Sequence, residues 1–452
     1  MSAPRFAVRE IGLYERDVRL RMPFRFGVVT LAGAPQAFVR ARIRLADGRE
    51  AEGAAAELLA PKWFDKDPAH TNEDNFGQLR ASLAQARKAY LAGPADTAFG
   101  HSRANYVTGL VAGFGPALID RALLDALCRA LGASFYEAQR RNAAGIELEG
   151  CDADAFLGAL RPAPSIAARH TVGLLDPITS VDVAERIGDG LPQTLEEVLE
   201  RYGQRYFKLK LAGDTAADLE RLGAIASVLE RIDGPYHATL DGNEQYDDVP
   251  GIAELWRRMN AEPRLARLAS SVLFIEQPIK RANALARDVT RLAAEVPLII
   301  DESDDSLEAF PRARALGYAG VSSKTCKGLY KSIINRARCA TWNREEGGAR
   351  YFMSAEDLTV QPGLALQQDL ALANLLGLAH VERNGHHYVN GMAGLPEAEQ
   401  AAFLHAHPDL YERSHGAVRV AIRDGRMSIG SLGCAGYASA AAPDWTSMSR
   451  LI

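Results

Sequence analysis

Several features that mark other classes of protein are scarce in this 452-residue chain. Its cysteines number five and include no CxxC pair, which argues against a disulfide framework and a cysteine-zinc site and favours reduced thiols in the cytoplasm. The net charge of −5 comes without a long basic run, so we expect no nucleic-acid or anionic-membrane partner. No apolar run approaches the length of about 18 residues that a membrane helix needs. The first residues, MSAPRFAVREIG, lack the apolar segment of a signal peptide, so we expect none here.

The remaining composition is that of an ordinary soluble globular protein, with 47% hydrophobic and 24% charged residues. A chain of this length has enough material for two or three domains, or for one large barrel with additions.

From about residue 165 onward, short β-rich runs alternate with amphipathic helical stretches. The eight predicted strands span 165–174, 206–210, 236–243, 271–278, 297–303, 320–326, 350–356 and 380–385. Alternation of this kind predicts an α/β fold with parallel strands and right-handed crossovers. The number of units favours a (β/α)8 TIM-type barrel over an open doubly wound sheet.

The segments on either side of these repeats differ from them. The first 160 residues combine strand-like runs with helices at about 70–92 and 117–142, the second opened by Pro116. The segment 416–430 reads as two strands around an Arg-Asp-Gly turn. We therefore predict an α+β domain at 1–160, a barrel at 161–390 and a tail at 391–452 that packs back on the first domain. The proline-punctuated RPAPS at 161–165 marks the first boundary.

Charged and polar residues end successive predicted strands. They are Lys208 and Lys210 on the second, Asp241 and Asn243 on the third, Glu276 on the fourth, Asp301 and Glu302 on the fifth, and Lys324 on the sixth. Taken singly, each acid is more readily explained as a helix cap. In a barrel, however, the carboxyl ends of the strands meet at one mouth.

Three carboxylates that converge on one point repel one another unless a cation lies between them. Asp241, Glu276 and Asp301 are therefore predicted to hold a divalent metal ion, and an all-oxygen shell favours Mg²⁺ over zinc. In this interpretation the lysines of strands two and six flank the metal and face the barrel mouth.

The ordered series KLK, LDGN, IEQP, DES and a sixth-strand lysine resembles the enolase superfamily. Within it, the series is most similar to the muconate-lactonizing branch of the mandelate racemase/muconate-lactonizing enzyme group. MPFRFG and AEGAAAELLAPKWF are similar to the two substrate-covering loops of that group's capping domain, and ALLDALCRALGASFYEA to its helix. The resemblance implies a modified TIM-type barrel with an N-terminal α+β capping domain that the C-terminal tail completes.

The resemblance also implies a role for each matching residue. Asp241, Glu276 and Asp301 match the metal ligands, with Asn243 and Glu302 placed behind them. Lys210 matches a general acid or base, and Lys324 the lysine on the opposite face of the substrate. Lys208 would be the neighbouring cation that favours the free-amine form of Lys210.

The implied activity is Mg²⁺-dependent removal of the proton α to a substrate carboxylate, through an enolate. Racemisation or epimerisation, syn-dehydration and cycloisomerisation all remain open. The seventh strand ends in MSAED without a histidine, and the eighth, VERNGHH, lacks the Asp-x-Asp with which dipeptide epimerases hold an amine. Two other readings are a Schiff-base lysine aldolase and a non-catalytic metal-binding barrel.

The expected partner is a small carboxylate substrate, and a homo-oligomer is an open alternative for assembly. The residues proposed to contact the substrate lie in the two cap loops and at the ends of the last two strands. They are Phe24, Arg25, Lys62, Glu356, Glu382 and Arg383.

Overall fold

The computed structural model describes residues 3–451. Its strands are β1 (Phe6–Phe26), β2 (Val29–Leu45), β3 (Glu50–Leu58), β4 (Ser165–Val172), β5 (Tyr206–Lys210), β6 (His237–Asp241), β7 (Val272–Glu276), β8 (Leu298–Ile300), β9 (Gly320–Ser323), β10 (Phe352–Ala355), β11 (His380–Arg383), β12 (Tyr411–Ser414), β13 (Ala417–Val420), β14 (Arg426–Ser428) and β15 (Ser449–Arg450).

The α-helices are α1 (Asn72–Ala92), α2 (Ala98–Ala104), α3 (Leu110–Ala130), α4 (Phe135–Arg140), α5 (Ala153–Ala159), α6 (Leu195–Tyr202), α7 (Thr215–Leu229), α8 (Val249–Ala261), α9 (Ala266–Ser270), α10 (Arg281–Ala284), α11 (Thr290–Ala293), α12 (Ala309–Ala315), α13 (Leu329–Glu346), α14 (Leu364–Leu375), α15 (Gly385–Tyr388) and α16 (Glu397–Ala406). None of those within residues 3–451 is both long and apolar enough to cross a membrane.

The N-terminal region is built on a long β-hairpin. Strands β1 and β2 pair antiparallel up to Phe26 and Val29, and the two-residue turn between them starts at Gly27, whose φ of +50° lies in the left-handed region. The sheet order is β15-β1-β2-β3. Helix α3 packs closely on it at Gly53, where a Cβ atom would lie 2.2 Å from the backbone nitrogen of Ala126. Only glycine permits this approach.

Helix α3 corrects one prediction, because Pro116 lies inside the helix and does not begin it. A proline within a helix leaves the carbonyl four residues earlier without its amide partner. Here the hydroxyl of Ser82 on α1 donates to the Ala112 carbonyl at 2.8 Å and accepts from the Gly115 amide at 3.0 Å. The helix therefore continues through the proline, held by its neighbour.

The eight strands predicted for the repeat region are all present and form one parallel sheet, in the order β10-β9-β8-β7-β6-β5-β4-β11. The sheet curls, so that Arg169 on β4 donates to Ser354 Oγ at 3.0 Å and to the Ala355 carbonyl at 3.1 Å on β10. Between β10 and β11 the described residues form no backbone ladder. The α/β class and the curled parallel sheet are thus confirmed, and full closure of a TIM-type barrel stays a prediction.

The C-terminal strands do not form the hairpin expected at 416–430. Strand β13 pairs with β12, whereas β14 joins the large sheet antiparallel to β4, because its central Met427 is fully buried against that strand. Strand β15 pairs with β1, and Trp445 lies 5.0 Å from the Tyr14 ring. The domain boundaries themselves stay predictions.

Candidate active site

The ends of neighbouring strands bring the predicted site residues level with one another. In the sheet register, Lys210 on β5 is opposite Asp241 on β6, and Asp241 is opposite Glu276 on β7. Asp301 follows β8 directly, and Lys324 follows β9. All five side chains are buried. The structure therefore brings the three acids and two of the lysines to the same end of the sheet.

Lys208 lies inside a cage of four carboxylates. Its Nζ is 2.9 Å from Asp241, 2.8 Å from Glu276, 2.7 Å from Glu356 and 3.0 Å from Glu382. Burial alone would lower the pKa of Lys208, but the four acids raise it well above its usual value. The charge of Lys208 is balanced by these four carboxylates, and the role expected for it beside Lys210 stays a prediction.

Two other lysines each bind one acid of the predicted metal site. Lys210 Nζ lies 2.6 Å from Asp241 Oδ2, and Lys324 Nζ lies 2.7 Å from Asp301 Oδ2. Burial works against ionisation of both aspartates, but nearby lysine charges lower the pKa of each, those of Lys208 and Lys210 for Asp241 and chiefly that of Lys324 for Asp301. Lys327 also contacts Asp301, at 3.3 Å. Sequence reasoning missed Lys327 because it follows the sixth strand in a short 3-10 turn, outside the strand pattern.

Glu276 is the acid whose charge is least well satisfied. It is fully buried, and neither carboxylate oxygen accepts a hydrogen bond, although Oε2 lies close to Lys208. Burial, followed by the charges of Asp241 and Glu356, raises the pKa of Glu276 well above its usual value. An additional cation beside Glu276 would relieve this unfavourable charge.

The buried oxygens at the strand ends are of the type that binds Mg²⁺. Among residues 3–451 no group of three or more histidine, cysteine, aspartate or glutamate side chains has a metal-binding arrangement. However, the buried oxygens without hydrogen-bond partners include both of Glu276, Oε2 of Glu302 and Oδ1 of Asn243. These are hard oxygen donors, the type that Mg²⁺ prefers. The chemistry of these donor atoms fits the ion. The carboxylates of Asp241 and Asp301 are bound instead by the ammonium groups of Lys210 and Lys324.

Behind these acids, Asn243 and Glu302 are bound to each other and to the cap. Asn243 Nδ2 donates to Glu302 Oε1 at 3.2 Å, and Lys66 reaches the Asn243 carbonyl at 2.7 Å. Gln277 fixes the fifth-strand end, since its Oε1 accepts from the backbone amides of Asp301 at 2.8 Å and of Ser303 at 3.0 Å. Neither Lys66 nor Gln277 was singled out by sequence. The only sequence feature that could have indicated Gln277 is its position directly after Glu276 in the EQP motif.

A small, partly enclosed cavity lies over Lys210 and Lys324. Aromatic side chains from the cap form its roof. Lys324 Nζ is 4.2 Å from the centre of the Trp63 ring, and Lys210 Nζ is 6.0 Å from that of Phe24 and 5.9 Å from that of Phe26. Such contacts favour a cation over the face of the ring. The two lysines therefore face one small space beneath the cap.

Neither a scan against protein-family models nor a search of curated proteins gives a match. Solved structures, by contrast, match over almost the whole chain. Muconate lactonizing enzyme from Pseudomonas fluorescens, complexed with muconolactone, aligns with a TM-score of 0.64 at 19% identity, covering 98% of each chain. A mandelate racemase/muconate lactonizing protein from Herpetosiphon aurantiacus aligns at 0.63 and 17% identity, over 96% of this chain and 98% of that one. The L-Ala-D/L-Glu epimerase from Bacillus subtilis aligns at 0.60 and 16% identity, over 97% and 100%.

The chain has the fold of the mandelate racemase/muconate lactonizing enzyme group. The resemblance drawn from the strand-end motifs is confirmed at the level of the fold. Since the identities are low, the roles of individual residues in this chain rest on its own geometry.

Within this fold, three of the residues expected to contact the substrate do not line the cavity. Arg25 is exposed, because strand alternation turns it away from its neighbours Phe24 and Phe26. The ammonium group of Lys62 donates to the carbonyl groups of Asp67 and His70 within its own loop. Arg383 is buried and paired with two aspartates, Asp357 and Asp369.

The other three expected contacts divide between the cavity and the interior of the sheet. Phe24 and Glu382 line the cavity. Glu356 does not; its Oε1 is bound by Arg169 and Ser354, and its Oε2 by Lys208. Glu356 is thus an acid that anchors buried cations of the sheet.

Proposed function

We propose that this protein is a cytoplasmic enolase-superfamily enzyme that removes the proton α to the carboxylate of a small substrate, with Mg²⁺ as cofactor. The products would arise by racemisation or epimerisation, syn-dehydration or cycloisomerisation. One observation carries the proposal. Lys210 and Lys324, at the ends of the second and sixth strands of the parallel sheet, line the same cavity, and each is bound to a different acid of the predicted metal site.

Asp241, Glu276 and Asp301 are the residues that would hold Mg²⁺. When bound, the ion supplies a positive charge that stabilises the negative charge developing on the substrate carboxylate. The oxygens of Glu276 support this assignment, because neither accepts a hydrogen bond and only Oε2 lies beside a cation, Lys208.

The lysines would carry the proton. A lysine in its free-amine form removes the proton from the α-carbon. The electron pair of the broken C–H bond then delocalises into the carboxylate group. The second lysine then returns a proton to the carbon, or its ammonium group stabilises the intermediate. The roof of buried aromatic residues keeps bulk water from this exchange.

The decisive experiment measures Mg²⁺-dependent exchange of α-protons in D2O by NMR over a panel of small carboxylic acids. Exchange detects proton removal even when no net reaction follows. Glu276→Gln should abolish exchange and weaken Mg²⁺ binding in calorimetry while the fold is retained. Glu399→Gln is the matched control, since Glu399 is also buried and ion-paired, to Arg16 at 2.9 Å, outside the cavity lining. Unchanged Mg²⁺ affinity in Glu276→Gln would overturn the metal assignment.

A further inference from the structure

A second cavity lies between the N-terminal region and the large sheet. Its wall is formed by residues within 99–120 and within 305–334, and none of these lines the cavity over Lys210 and Lys324. The second cavity is partly enclosed and has a volume of about 210 Å³. An apolar cavity of about 150 Å³ holds a benzene molecule. The second cavity therefore has room for a ligand of one ring with a small substituent.

Most of this wall is apolar. Phe99 and Leu110 contribute to it from the N-terminal region, and Ile334 from helix α13. The rings of Phe99 and Tyr330, both in the wall, meet edge to face with their centres 5.4 Å apart. Such a lining suits the hydrocarbon body of a ligand.

The first turns of two long helices also belong to the wall. Helices α3 and α13 are preceded by Gly109 and Gly328, whose φ angles of +95° and +104° are those that glycine adopts most readily. A glycine has no side chain with which to cap the amide groups of the first turn. The N-terminal end of a helix favours a negatively charged group. Both helix ends therefore favour an anion.

The lysines of the wall have more positive charge around them than negative. Lys327 and Lys331 both contact the same oxygen, Asp304 Oδ2, at 3.0 and 3.2 Å. Lys327 also contacts Asp301, at 3.3 Å, but Lys324 already binds that aspartate at 2.7 Å. Three ammonium groups thus share two carboxylates. A negatively charged ligand in the second cavity would balance the remaining positive charge.

One buried hydroxyl group of the wall lacks a partner. Tyr330 is 4% exposed, and its hydroxyl forms no hydrogen bond with the residues that the structure describes. Buried polar groups are nearly always satisfied. The buried acid of the wall, Asp120, already accepts hydrogen bonds from Tyr90 and Ser102. The hydroxyl of Tyr330 is therefore available to donate to a ligand.

We infer that the second cavity binds a compact apolar carboxylate, of the size of one aromatic ring with a single carboxylate group. The ring lies among the apolar residues, and the carboxylate accepts from Tyr330 and Lys331 near the two helix ends. This inference goes beyond the proposed function and does not depend on it. Because Lys327 contacts both this wall and Asp301, the ligand would lie one side chain away from the predicted metal site.

The test measures the binding of three probes to the full chain by fluorine NMR. 4-Fluorobenzoate, 4-fluorobenzyl alcohol and 4-fluorobenzylamine share a fluorinated ring and are anionic, neutral and cationic. Excess EDTA keeps Mg²⁺ from the predicted metal site. Burial raises the pKa of Asp120 to about 7, so a buffer at about pH 6 keeps most of this acid protonated. We expect 4-fluorobenzoate to bind at least about tenfold more tightly than either other probe.

Two variants place the ligand in the second cavity. Gly113 lies in α3 and lines it, and a Cβ atom there would have the Val107 carbonyl oxygen as its nearest neighbour, at 4.0 Å. Gly113→Leu should therefore fill the space and abolish binding, whereas Gly77→Leu, at an exposed position of α1, should not.

Tyr330→Phe should weaken 4-fluorobenzoate by about tenfold, because the carboxylate loses one hydrogen bond. Tyr437→Phe is its matched control. Tyr437 is also buried with an unpartnered hydroxyl, but it lies outside this wall, so its variant should bind as the wild type does.

The inference would be overturned if the alcohol or the amine bound as tightly as 4-fluorobenzoate. Unchanged binding of 4-fluorobenzoate to Gly113→Leu or to Tyr330→Phe would also overturn it, because the ligand would then lie elsewhere. So would the absence of any binding by the wild type at millimolar concentration.

Discussion

At the scale of single residues, the lysines of the site differ in how their charge is balanced. Lys208 is surrounded by four carboxylates, whereas Lys210 and Lys324 each contact one acid of the predicted metal site and face the cavity. Against the effect of burial, the four acids raise the pKa of Lys208 well above its usual value and so favour its charged form. We therefore expect proton transfer to involve Lys210 and Lys324, the two lysines that line the cavity beneath the cap.

This assignment predicts opposite defects in the two lysine variants if the enzyme interconverts stereoisomers. Lys210→Ala should lose α-proton exchange in one enantiomer by about 10²-fold or more and retain it in the other, and Lys324→Ala should show the reverse preference. The measurement is deuterium incorporation into each enantiomer separately. A dehydratase or cycloisomerase would instead lose exchange in the same enantiomer in both variants. Full exchange in both variants would remove the lysines from the mechanism.

At the scale of elements, helix α3 shows how a local defect is repaired by a neighbour. Pro116 leaves the Ala112 carbonyl without an intrahelical donor, and Ser82 on α1 provides one. The same hydroxyl accepts from Gly115, which packs so closely on α1 that a Cβ atom there would lie 2.4 Å from the Ser82 carbonyl oxygen. The two helices are thus joined through one serine.

We expect Ser82→Ala to lower the unfolding free energy by about 1 to 3 kcal/mol, because two backbone groups lose their partner. The control Ser227→Ala, on the exposed face of α7, should cost less than about 0.5 kcal/mol. In a Pro116→Ala background the restored amide can bond to the Ala112 carbonyl, so the cost of Ser82→Ala should shrink. Urea unfolding of the four proteins in this double-mutant cycle tests the prediction, and equal costs in both backgrounds would contradict it.

The same elements show what the sequence can and cannot predict. The eight parallel strands were found because each is a short apolar run bounded by turn residues, which is local information. The pairing of β14 with β4, the position of Pro116 inside α3 and the four-acid cage around Lys208 depend on residues far apart in sequence. The exposure of Arg25 can be predicted once the hairpin is recognised, because side chains alternate along a strand and Arg25 lies between Phe24 and Phe26.

At the scale of the whole molecule, side-chain hydrogen bonds fasten the N-terminal region to the large sheet. Arg281 donates to the carbonyl groups of Trp63 at 2.8 Å and Phe64 at 2.9 Å, and Gln368 donates to that of Ala54 at 2.8 Å. These bonds hold the Trp63 loop over the lysines. The stability of the N-terminal region therefore bears directly on the integrity of the cavity.

The N-terminal helices share one buried carboxyl group. Asp120 on α3 accepts hydrogen bonds from Tyr90 on α1 at 2.6 Å and from Ser102 on α2 at 2.5 Å. Burial raises the pKa of Asp120 to about 7, although its two hydrogen bonds partly oppose the rise. An unfolded aspartate has a pKa of about 3.9.

Between about pH 4 and pH 7 the folded protein therefore holds a proton on Asp120 that the unfolded chain has released. The stability from this site is fully present below the unfolded pKa and is lost as the pH rises through the folded pKa. Asp120→Asn cannot titrate, so wild-type stability should fall relative to this variant by up to about 4 kcal/mol across that window. Chemical unfolding of both proteins at several pH values measures the difference, and Asp233→Asn, in an exposed loop, should follow the wild-type curve. Parallel curves for wild type and Asp120→Asn would show that Asp120 is ionised in the folded protein.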